Sequence, residues 1–276
     1  MRLLRFLRRL DSKAGGKQTS YRFTVMSRMI TVTESLASQP RRSKTLEQKT
    51  ADAIALGREI LNPSLRNSDY LVLEQRRRIL ANWLKRVPGN DLKVLDVGGR
   101  LQPYRPLLNG RLKFYVAVDP DPTGLVDAIA VGEHLPFPSS TFDLVLCTQV
   151  LCYVEDPPQV IDEIRRVLRP GGTLLLTAPA LLLNHAANDR WRFLPNQLYS
   201  LLREFTTVEV SAEGGSISGI CRTVAMFVDY FFEHGPAHPF LIRAVVPFLN
   251  LLGERLDCWS RGDIGFTTNY DAFAIK

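Results

Sequence analysis

Two acidic residues and a pair of glycines give this chain its clearest chemical signal. Gly98 and Gly99 closely follow Asp96, and Asp119 ends a second apolar stretch further along the chain. Glycine permits a tight turn and lets a ligand approach the backbone closely. A carboxylate at the position of Asp119 can accept hydrogen bonds from two ribose hydroxyls. The pattern therefore predicts a site for a nucleoside-containing ligand.

The apolar runs beside these residues predict the elements that position them. Residues 94–97 and 114–118 have the character of parallel strands that are covered on both faces. Ligands in open α/β sheets bind at the carboxyl ends of strands, where both acids lie. The glycines are not part of a G-x-G-x-x-G pattern, which would seat a pyrophosphate. An acid just before the first glycine suits a ligand with an ammonium group, and S-adenosylmethionine carries an ammonium, a sulfonium and a ribose.

Four segments occur in the order and spacing of a known family. They are VLDVGG, YVAVDP, LPFPSSTFDLVLCTQVL and EIRRVLRPGGTLLLTAP, and they lie between Leu92 and Pro179. The set resembles the motifs of class I S-adenosylmethionine-dependent methyltransferases, in particular the type 11 subgroup found among small-molecule and glycan methyltransferases. The resemblance implies an α/β fold: a Rossmann-like, mostly parallel seven-stranded sheet with one antiparallel edge strand and helices on both faces. Residues 127–130 would form the short third strand.

The same resemblance assigns residues to the cofactor, S-adenosylmethionine. Glu133 and His134 begin a segment expected to pass over the adenine, although His134 could instead be solvated. Thr148 and Gln149 follow a strand and are expected to face the transferring methyl group. The predicted cofactor-binding residues are Asp96, Gly98, Gly99, Asp119, Pro120, Glu133, His134, Thr148 and Gln149.

Three departures from the family pattern leave a second hypothesis open. Arg100 and Gln102 stand where the family usually has glycines, and Val131 stands where it commonly has an acid that contacts the adenine. A relative that has lost these residues could serve as a catalytically degenerate binding or scaffold protein. The leading hypothesis remains O-methylation of a small molecule, sugar or glycolipid.

A polar, aromatic-rich loop at residues 184–193 is the predicted acceptor site, because it follows a strand at its carboxyl end. It resembles the subgroup's H-x-x-x-D-x-x-R-F segment. His185 or Asp189 is the candidate general base for a hydroxyl acceptor. The predicted substrate-binding residues are Arg190, Trp191 and Arg192, of which the arginines could hold an anionic group. Alternatively, Asp189 and Arg192 pair to brace the loop while the aromatic residues pack, and no catalytic base exists.

The basic charge of the chain is concentrated at its beginning. The net charge is +7, but residues 1–46 contain eleven Lys or Arg and two acids. The remaining 230 residues hold 24 basic and 26 acidic residues, and this near-neutral balance argues against nucleic-acid binding, which needs a basic face. We predict a basic, poorly ordered extension at residues 1–45. A membrane-surface contact or a targeting peptide are the alternatives for its amphipathic start.

Residues 46–276 are predicted to form the methyltransferase domain, with N-terminal helices at 46–88 and a helical insertion at 217–256. Burial of that insertion is favoured over a membrane contact or a dimer face at residues 239–252. Arg76, Arg77 and Arg78 are expected to form a solvated face, with phosphate binding as the alternative. His234 and His238 lack the neighbours of a metal site. The unpaired spacing of the cysteines predicts a reducing compartment, hence a cytoplasmic protein with peripheral membrane association as a variant.

Overall fold

The structure is a computed structural model that describes residues 44–181, 188–257 and 264–276. The predicted extension therefore lies outside the described residues except for its last two positions. The helices are α1 (Leu46–Leu61), α2 (Tyr70–Arg86), α3 (Pro157–Val167), α4 (Pro195–Leu201), α5 (Ser216–Phe232), α6 (His238–Phe240) and α7 (Val246–Asp257), with a 3₁₀ turn at Arg105–Leu108 and a π-helical turn at Leu241–Val245. The strands are β1 (Leu92–Val97), β2 (Leu112–Val118), β3 (Phe142–Thr148), β4 (Leu168–Pro179), β5 (Thr207–Ala212) and β6 (Asn269–Ile275).

The strands form one mostly parallel sheet in the order β2-β1-β3-β4-β6-β5. Strands β2, β1, β3 and β4 pair in parallel, and β6 is antiparallel to both β4 and β5. The prediction that the antiparallel strand lies at the edge of the sheet is wrong, because β6 lies between β4 and β5. All but the last residue of β6 are buried, so β6 is covered by a neighbour on each side, whereas the partly exposed β5 forms the edge.

The described part of the chain contributes six strands to the sheet, not the expected seven. At the expected third strand, the structure has only an isolated parallel bridge between Val118 and Ala128. The Asp127 side chain explains this, because its Oδ2 accepts a hydrogen bond from Ala117 N at 2.8 Å. A side chain thus takes the place of a strand carbonyl. The backbone of the segment still bonds to β2 and its end: Asp127 N and Ala128 N donate to Ala117 O at 2.9 and 3.2 Å, and Asp119 N donates to Ala128 O at 3.4 Å.

Two apolar cores lie on opposite faces of the sheet. One packs α3 and α4 against alternate residues of the central strands, such as Leu174 and Leu176. The other packs Leu80 and Trp83 of α2 against the intervening residues, such as Leu175. Because successive side chains of a strand point to opposite faces, a buried parallel strand must be apolar on both. This arrangement confirms the expected α/β fold with helices on both faces.

Helices α5 and α7 pack against each other and against the start of α2. Arg222 of α5 forms an ion pair with Asp69 at 2.7 Å, and Asn250 Nδ2 of α7 donates to Leu65 O and Asn67 O. The other face of α5 is exposed and apolar at Phe227 and Phe231. In the described ranges, no helix combines the length and the apolar character that crossing a membrane requires.

Candidate functional site

A cavity of about 950 Å³ opens at the carboxyl ends of the first three strands. Gly98 follows β1, Asp119 follows β2, and Thr148 ends β3, and all three line the cavity. The predicted residues Pro120, Glu133, His134 and Gln149 line it as well. The structure thus brings together residues that lie up to 51 positions apart in the sequence.

The glycine turn after β1 needs glycine for two separate reasons. Gly98 has a φ of +76°, a conformation that L side chains rarely adopt. A Cβ atom on Gly98 would also lie 2.2 Å from Val150 Cγ2, and one on Gly99 would lie 2.8 Å from Ala117 Cβ. The N–H groups of both glycines donate to Val118 O at 2.8 and 3.0 Å, which ties the turn to the end of β2.

Gln102 keeps the loop conformation although it replaces an expected glycine. Its φ is +46°, so the backbone is in the left-handed region that a glycine would favour. Its side chain does not line the cavity: Nε2 donates to Leu125 O at 2.5 Å, and Oε1 accepts from Arg105 Nη1 at 2.9 Å. The substitution therefore adds two tethers to the loop without filling the site.

The other two departures from the family pattern are also accommodated. Arg100 lines the cavity, and its Nη1 forms an ion pair with Asp121 Oδ2 at 2.7 Å. Both side chains are largely exposed, so the pair lies at the rim of the cavity. Val131 is 45% exposed and lines the cavity as an apolar residue. The space for a ligand is kept in spite of all three changes.

The two acids of the motif occupy different depths. Asp119 lines the cavity, whereas the buried Asp96 is not among the lining residues and receives a hydrogen bond from Tyr115 Oη at 2.5 Å. Burial raises the pKa of Asp96 to about 7, against the effect of that hydrogen bond. Burial also raises the pKa of Asp119, although the Asp121 N–H that donates to its Oδ1 opposes this. Contact of Asp96 with a cofactor stays a prediction.

The segment expected to pass over the adenine is held by a carboxylate. Glu133 Oε1 accepts hydrogen bonds from Glu155 N at 2.9 Å and from Asp156 N at 3.4 Å. These N–H groups precede α3, so Glu133 fastens the segment to the start of that helix. His134 is exposed and lines the cavity, as Glu133 does.

The end of β3 carries a second strained residue at the cavity. Gln149 has a φ of +56°, which is uncommon for a residue with a side chain. Three hydrogen bonds hold it to Thr177 of β4: its N–H donates to Thr177 O and Oγ1, and its Nε2 donates to Thr177 Oγ1 at 3.1 Å. Such over-determined strain is typical of functional sites, and it presents Thr148 and Gln149 to the cavity.

The described part of the expected acceptor loop docks on the turn after β3. Arg190 N and Trp191 N both donate to Cys152 O, and Trp191 Nε1 donates to Val154 O at 2.9 Å. The Asp189 carboxylate, which is fully buried, pairs with Arg192 at 2.5 Å. This geometry supports the bracing alternative for Asp189 and Arg192.

None of Asp189, Arg190, Trp191 and Arg192 lines the cavity, although the preceding Asn188 does. Their catalytic and substrate-binding roles stay predictions. His185 lies outside the described residues.

Arg76, Tyr104 and Tyr153 are among the residues of the cavity wall that the sequence did not reveal. The expectation of a solvated face at Arg76–Arg78 is wrong for Arg76, which is 5% exposed and bonds to Glu213 through Nε at 2.5 Å and Nη2 at 2.9 Å. The helical spacing could have predicted the burial of Arg76, because Arg76 lies one turn from Leu80 and two turns from Trp83, both on the buried face of α2.

With this geometry established, comparison with known proteins identifies the central segment. Residues 95–176 match the family model described as a methyltransferase domain. Thiol S-methyltransferase TMT1B of Rattus norvegicus is 30% identical over 137 residues, which are 41% of this chain and 54% of that protein. Its Homo sapiens counterpart is 28% identical over 152 residues, 46% of this chain and 58% of that protein.

Among solved structures, the [4+2]-cyclase SpnF has a TM-score of 0.48 and 19% identity, with 73% of this chain and 81% of that one covered. The chain spans about half the length of the curated relatives it matches. The match to the methyltransferase domain runs from within β1 to within β4 and leaves α1, α2 and everything after β4 unmatched.

Proposed function

We propose that this protein transfers a methyl group from S-adenosylmethionine to a small-molecule acceptor. The observation that carries the proposal is the cavity, in which Gly98 and Asp119 meet at the carboxyl ends of strands within the segment that matches a methyltransferase domain. When bound, the cofactor supplies an electrophilic methyl group on its sulfonium. Methyl transfer needs little from the protein beyond alignment of the acceptor with that group.

The residues of the cavity fit this cofactor. Asp119 is placed to accept hydrogen bonds from the ribose hydroxyls, and the turn at Gly98 leaves room for close approach of a ligand. Glu133 fixes the segment that would cover the adenine. Gln149, held by Thr177, borders the space in which the methyl group and its acceptor would meet.

The alternative of a degenerate binding or scaffold protein has lost its main support. That alternative depended on Arg100, Gln102 and Val131. Gln102 adopts the left-handed backbone with its side chain directed away, Arg100 pairs at the rim, and Val131 leaves the cavity open. We therefore retain the enzyme as the leading proposal.

Two acceptor classes follow from different observations. O-methylation of a small molecule, sugar or glycolipid is the first, with His185 or Asp189 as the candidate base. A thiol is the second, because the mammalian relatives are thiol S-methyltransferases and the carboxylate of Asp189 is engaged by Arg192. A thiol ionises near neutral pH more readily than an alcohol, so it needs less help from a base.

Cofactor binding tests the proposal directly. Calorimetric titration with S-adenosylmethionine is expected to show saturable binding by the wild type. Asp119→Asn should weaken binding about 10- to 100-fold, because hydrogen bonds to a charged group are each worth about 1.5–3 kcal/mol. The matched control is Asp121→Asn, a nearby acid at the rim that is expected to cost less than about threefold. A folded wild type that does not bind would refute the proposal.

Transfer of a labelled methyl group separates the two acceptor classes. The wild type is incubated with labelled S-adenosylmethionine and either alcohols, phenols and sugar lipids or small thiols. Product with the oxygen acceptors alone would support the first class, and product with the thiols alone would support the second. In either case, Asp119→Asn should lower product formation at limiting cofactor and approach the wild-type rate at saturation.

A further inference from the structure

Helices α5 and α7 carry apolar side chains on faces that are exposed rather than packed. On α5 these side chains recur at helical spacing and form one stripe, made of Ile220, Val224, Phe227 and Phe231. On α6 and α7 the exposed apolar side chains are Phe240, Phe248 and Leu251. Their exposed fractions run from 42% at Val224 to 68% at Phe240. We call these two sets the outer face of α5 and α7, an apolar surface larger than scattered single side chains would give.

The two sets point to the same side of the molecule, because both helices rest on one support. Arg222 of α5 pairs with Asp69, and Asn250 of α7 donates hydrogen bonds to Leu65 O and Asn67 O. In each helix, the exposed apolar side chains lie on the face opposite to the residue that makes these bonds. The helices also pack against each other, so their outer faces adjoin.

The charged residues of the same helices leave unpaired positive charge beside this face. The acids of α5 and α7 are engaged within the fold: Asp229 bonds to Ser68, Glu254 pairs with Arg78, and Asp257 accepts from the N–H groups that begin α5. Arg243 and Arg255 are exposed, and neither forms an ion pair within the described residues. Arg255 lies one turn beyond Leu251 on the outer face. Glu233, which is 3.9 Å from His234, is the remaining acid of residues 216–257.

We propose that the outer face of α5 and α7 docks on a membrane surface that contains anionic lipid. Helices that lie in a membrane interface combine an apolar face rich in Phe and Leu with arginines that reach the headgroups. The outer face has both features, and Phe227 and Phe231 stack with their ring centroids 4.2 Å apart to form a continuous aromatic surface. Because the inner faces of both helices are packed on the protein, the helices lie along the lipid surface with their outer side chains inserted. This contact is independent of the cofactor site.

Charge favours lipid over a second copy of this chain. A symmetric contact through the outer face would gather Arg243 and Arg255 from both copies, four arginines in all, against two copies of Glu233. Positive charge would therefore stay unpaired in such an interface. Anionic headgroups supply the negative charge that the outer face lacks, and each arginine near such a surface strengthens binding about fivefold.

Flotation of the full chain with vesicles tests the proposal. The wild type is expected to float with vesicles of phosphatidylcholine mixed with phosphatidylglycerol, and much less with phosphatidylcholine alone. The double variant Phe227→Gln, Phe248→Gln removes one aromatic side chain from each helix and should weaken binding about tenfold or more, because those side chains no longer enter the lipid. Tyr199→Gln is the matched control. Tyr199 is 46% exposed on α4, which packs on the opposite face of the sheet from α2, so its loss should change binding less than about twofold.

A second pair of variants isolates the electrostatic part of the contact. Arg243→Gln, Arg255→Gln should weaken binding to the phosphatidylglycerol vesicles about 10- to 30-fold and leave the weak binding to phosphatidylcholine alone unchanged. Lys85→Gln, Lys113→Gln lowers the net charge by the same amount. Both lysines are exposed, one near the end of α2 that is remote from Asp69 and the other on β2. Because charge is screened over about 10 Å, this control should change binding less than about twofold.

Three outcomes would overturn the proposal, with folding checked by circular dichroism and mass by light scattering. The first is a folded wild type that floats with neither kind of vesicle. The second is wild-type binding that both outer-face variants leave unchanged, because the basic residues 1–46, which all variants share, would then account for the binding. The third is a dimeric wild type that does not float and that Phe227→Gln, Phe248→Gln converts to a monomer, which would assign the outer face to a second copy of the chain.

Discussion

The two ends of the cavity are built in opposite ways. At the glycine-turn end, Gly98, Gln102 and Asp119 come from one short run of chain and are held by backbone conformation and local hydrogen bonds. At the other end, Arg76 meets Glu213 across 137 residues of sequence, and Asp271 comes from the last strand. One end is a local motif, and the other exists only once the sheet has formed.

The two ends of the cavity should therefore contribute differently to the stability of the fold and to ligand binding. The cluster at Arg76 contains buried charges, so removing one partner leaves another uncompensated in a low-dielectric interior. The glycine turn contains no buried ion pair, and its variants change backbone strain and fit to a ligand. We therefore expect the largest losses of stability at the cluster and smaller ones along the turn.

The largest effect is expected for Arg76→Met. It leaves the carboxylate of Glu213 buried beside Asp271 without its cation, which should lower the free energy of unfolding by about 3–5 kcal/mol. Urea denaturation followed by circular dichroism measures the change. Adding Glu213→Gln should restore at least half of the loss. Arg77→Met is the control from the same arginine run, and it should cost less than about 1 kcal/mol because Arg77 is more exposed and pairs with Glu74 on its own helix. Equal losses for Arg76→Met and Arg77→Met would contradict the comparison.

Gly98→Ala should come next. The positive φ costs about 1–2 kcal/mol for a residue with a Cβ, and the overlap with Val150 adds about 1–3 kcal/mol. Gly110→Ala is the control, because Gly110 has a φ of +78° and nothing within 4 Å of the added Cβ. Thermal and urea unfolding should show that Gly98→Ala is the more destabilising change. If the two variants are equally stable, the close approach at Val150 does not constrain the turn.

The contrast between the two ends also explains what the sequence could and could not foretell. Asp119 and Gly98 were found because strand, turn and acid follow one another at a fixed spacing, and parallel strands bring their carboxyl ends to one edge. The parallel strands were found from continuous apolar runs. These signals are local, so a single sequence contains them in full.

The features that the sequence did not predict depend on how distant segments pack together. Arg76 looks like its two neighbours in the sequence, and only the pairing of β6 with β4 and the position of Glu213 after β5 make its burial favourable. The expected third strand failed because one side chain, Asp127, bonded to the backbone of β2. The position of β6 inside the sheet likewise depends on its pairing with both β4 and β5. The sequence of β6 indicates such a position only through apolar residues on both faces of the strand.

Asp96 offers a test that depends on pH. Its pKa is raised from the usual range of about 4 to about 7, so the folded state binds a proton that the unfolded state releases between these values. This contribution to stability is present at low pH and is lost as the pH rises toward 7. Relative to Asp96→Asn, the wild type should therefore lose on the order of 2 kcal/mol between pH 5 and 8, since each pKa unit is worth about 1.4 kcal/mol.

Urea denaturation at several pH values measures this difference. Because Asp96→Asn keeps the other titrating groups, such as Asp271, their contribution cancels when the variant is compared with the wild type. Tyr115→Phe sharpens the test. Loss of the hydrogen bond to Oδ2 should raise the pKa of Asp96 further and extend the pH-dependent loss to higher pH. A stability difference between wild type and Asp96→Asn that does not change with pH would show that Asp96 is not held in a desolvated site.

The smallest effect, and the one that best defines the turn, is expected at Gln102. A glycine there relieves the left-handed backbone but loses two side-chain hydrogen bonds, so Gln102→Gly should change the free energy of unfolding by less than about 1 kcal/mol. Gln102→Ala loses the same bonds and keeps the strain, so it should be less stable than Gln102→Gly. At exposed Lys85 of α2 the order should reverse, because glycine costs about 1 kcal/mol relative to alanine within a helix. Unfolding curves of the alanine and glycine variants at Gln102 and Lys85 test this expectation. If alanine is the more stable replacement at both positions, Gln102 does not have a left-handed backbone in solution. The glycine-turn end of the cavity would then not keep the turn that the structure shows.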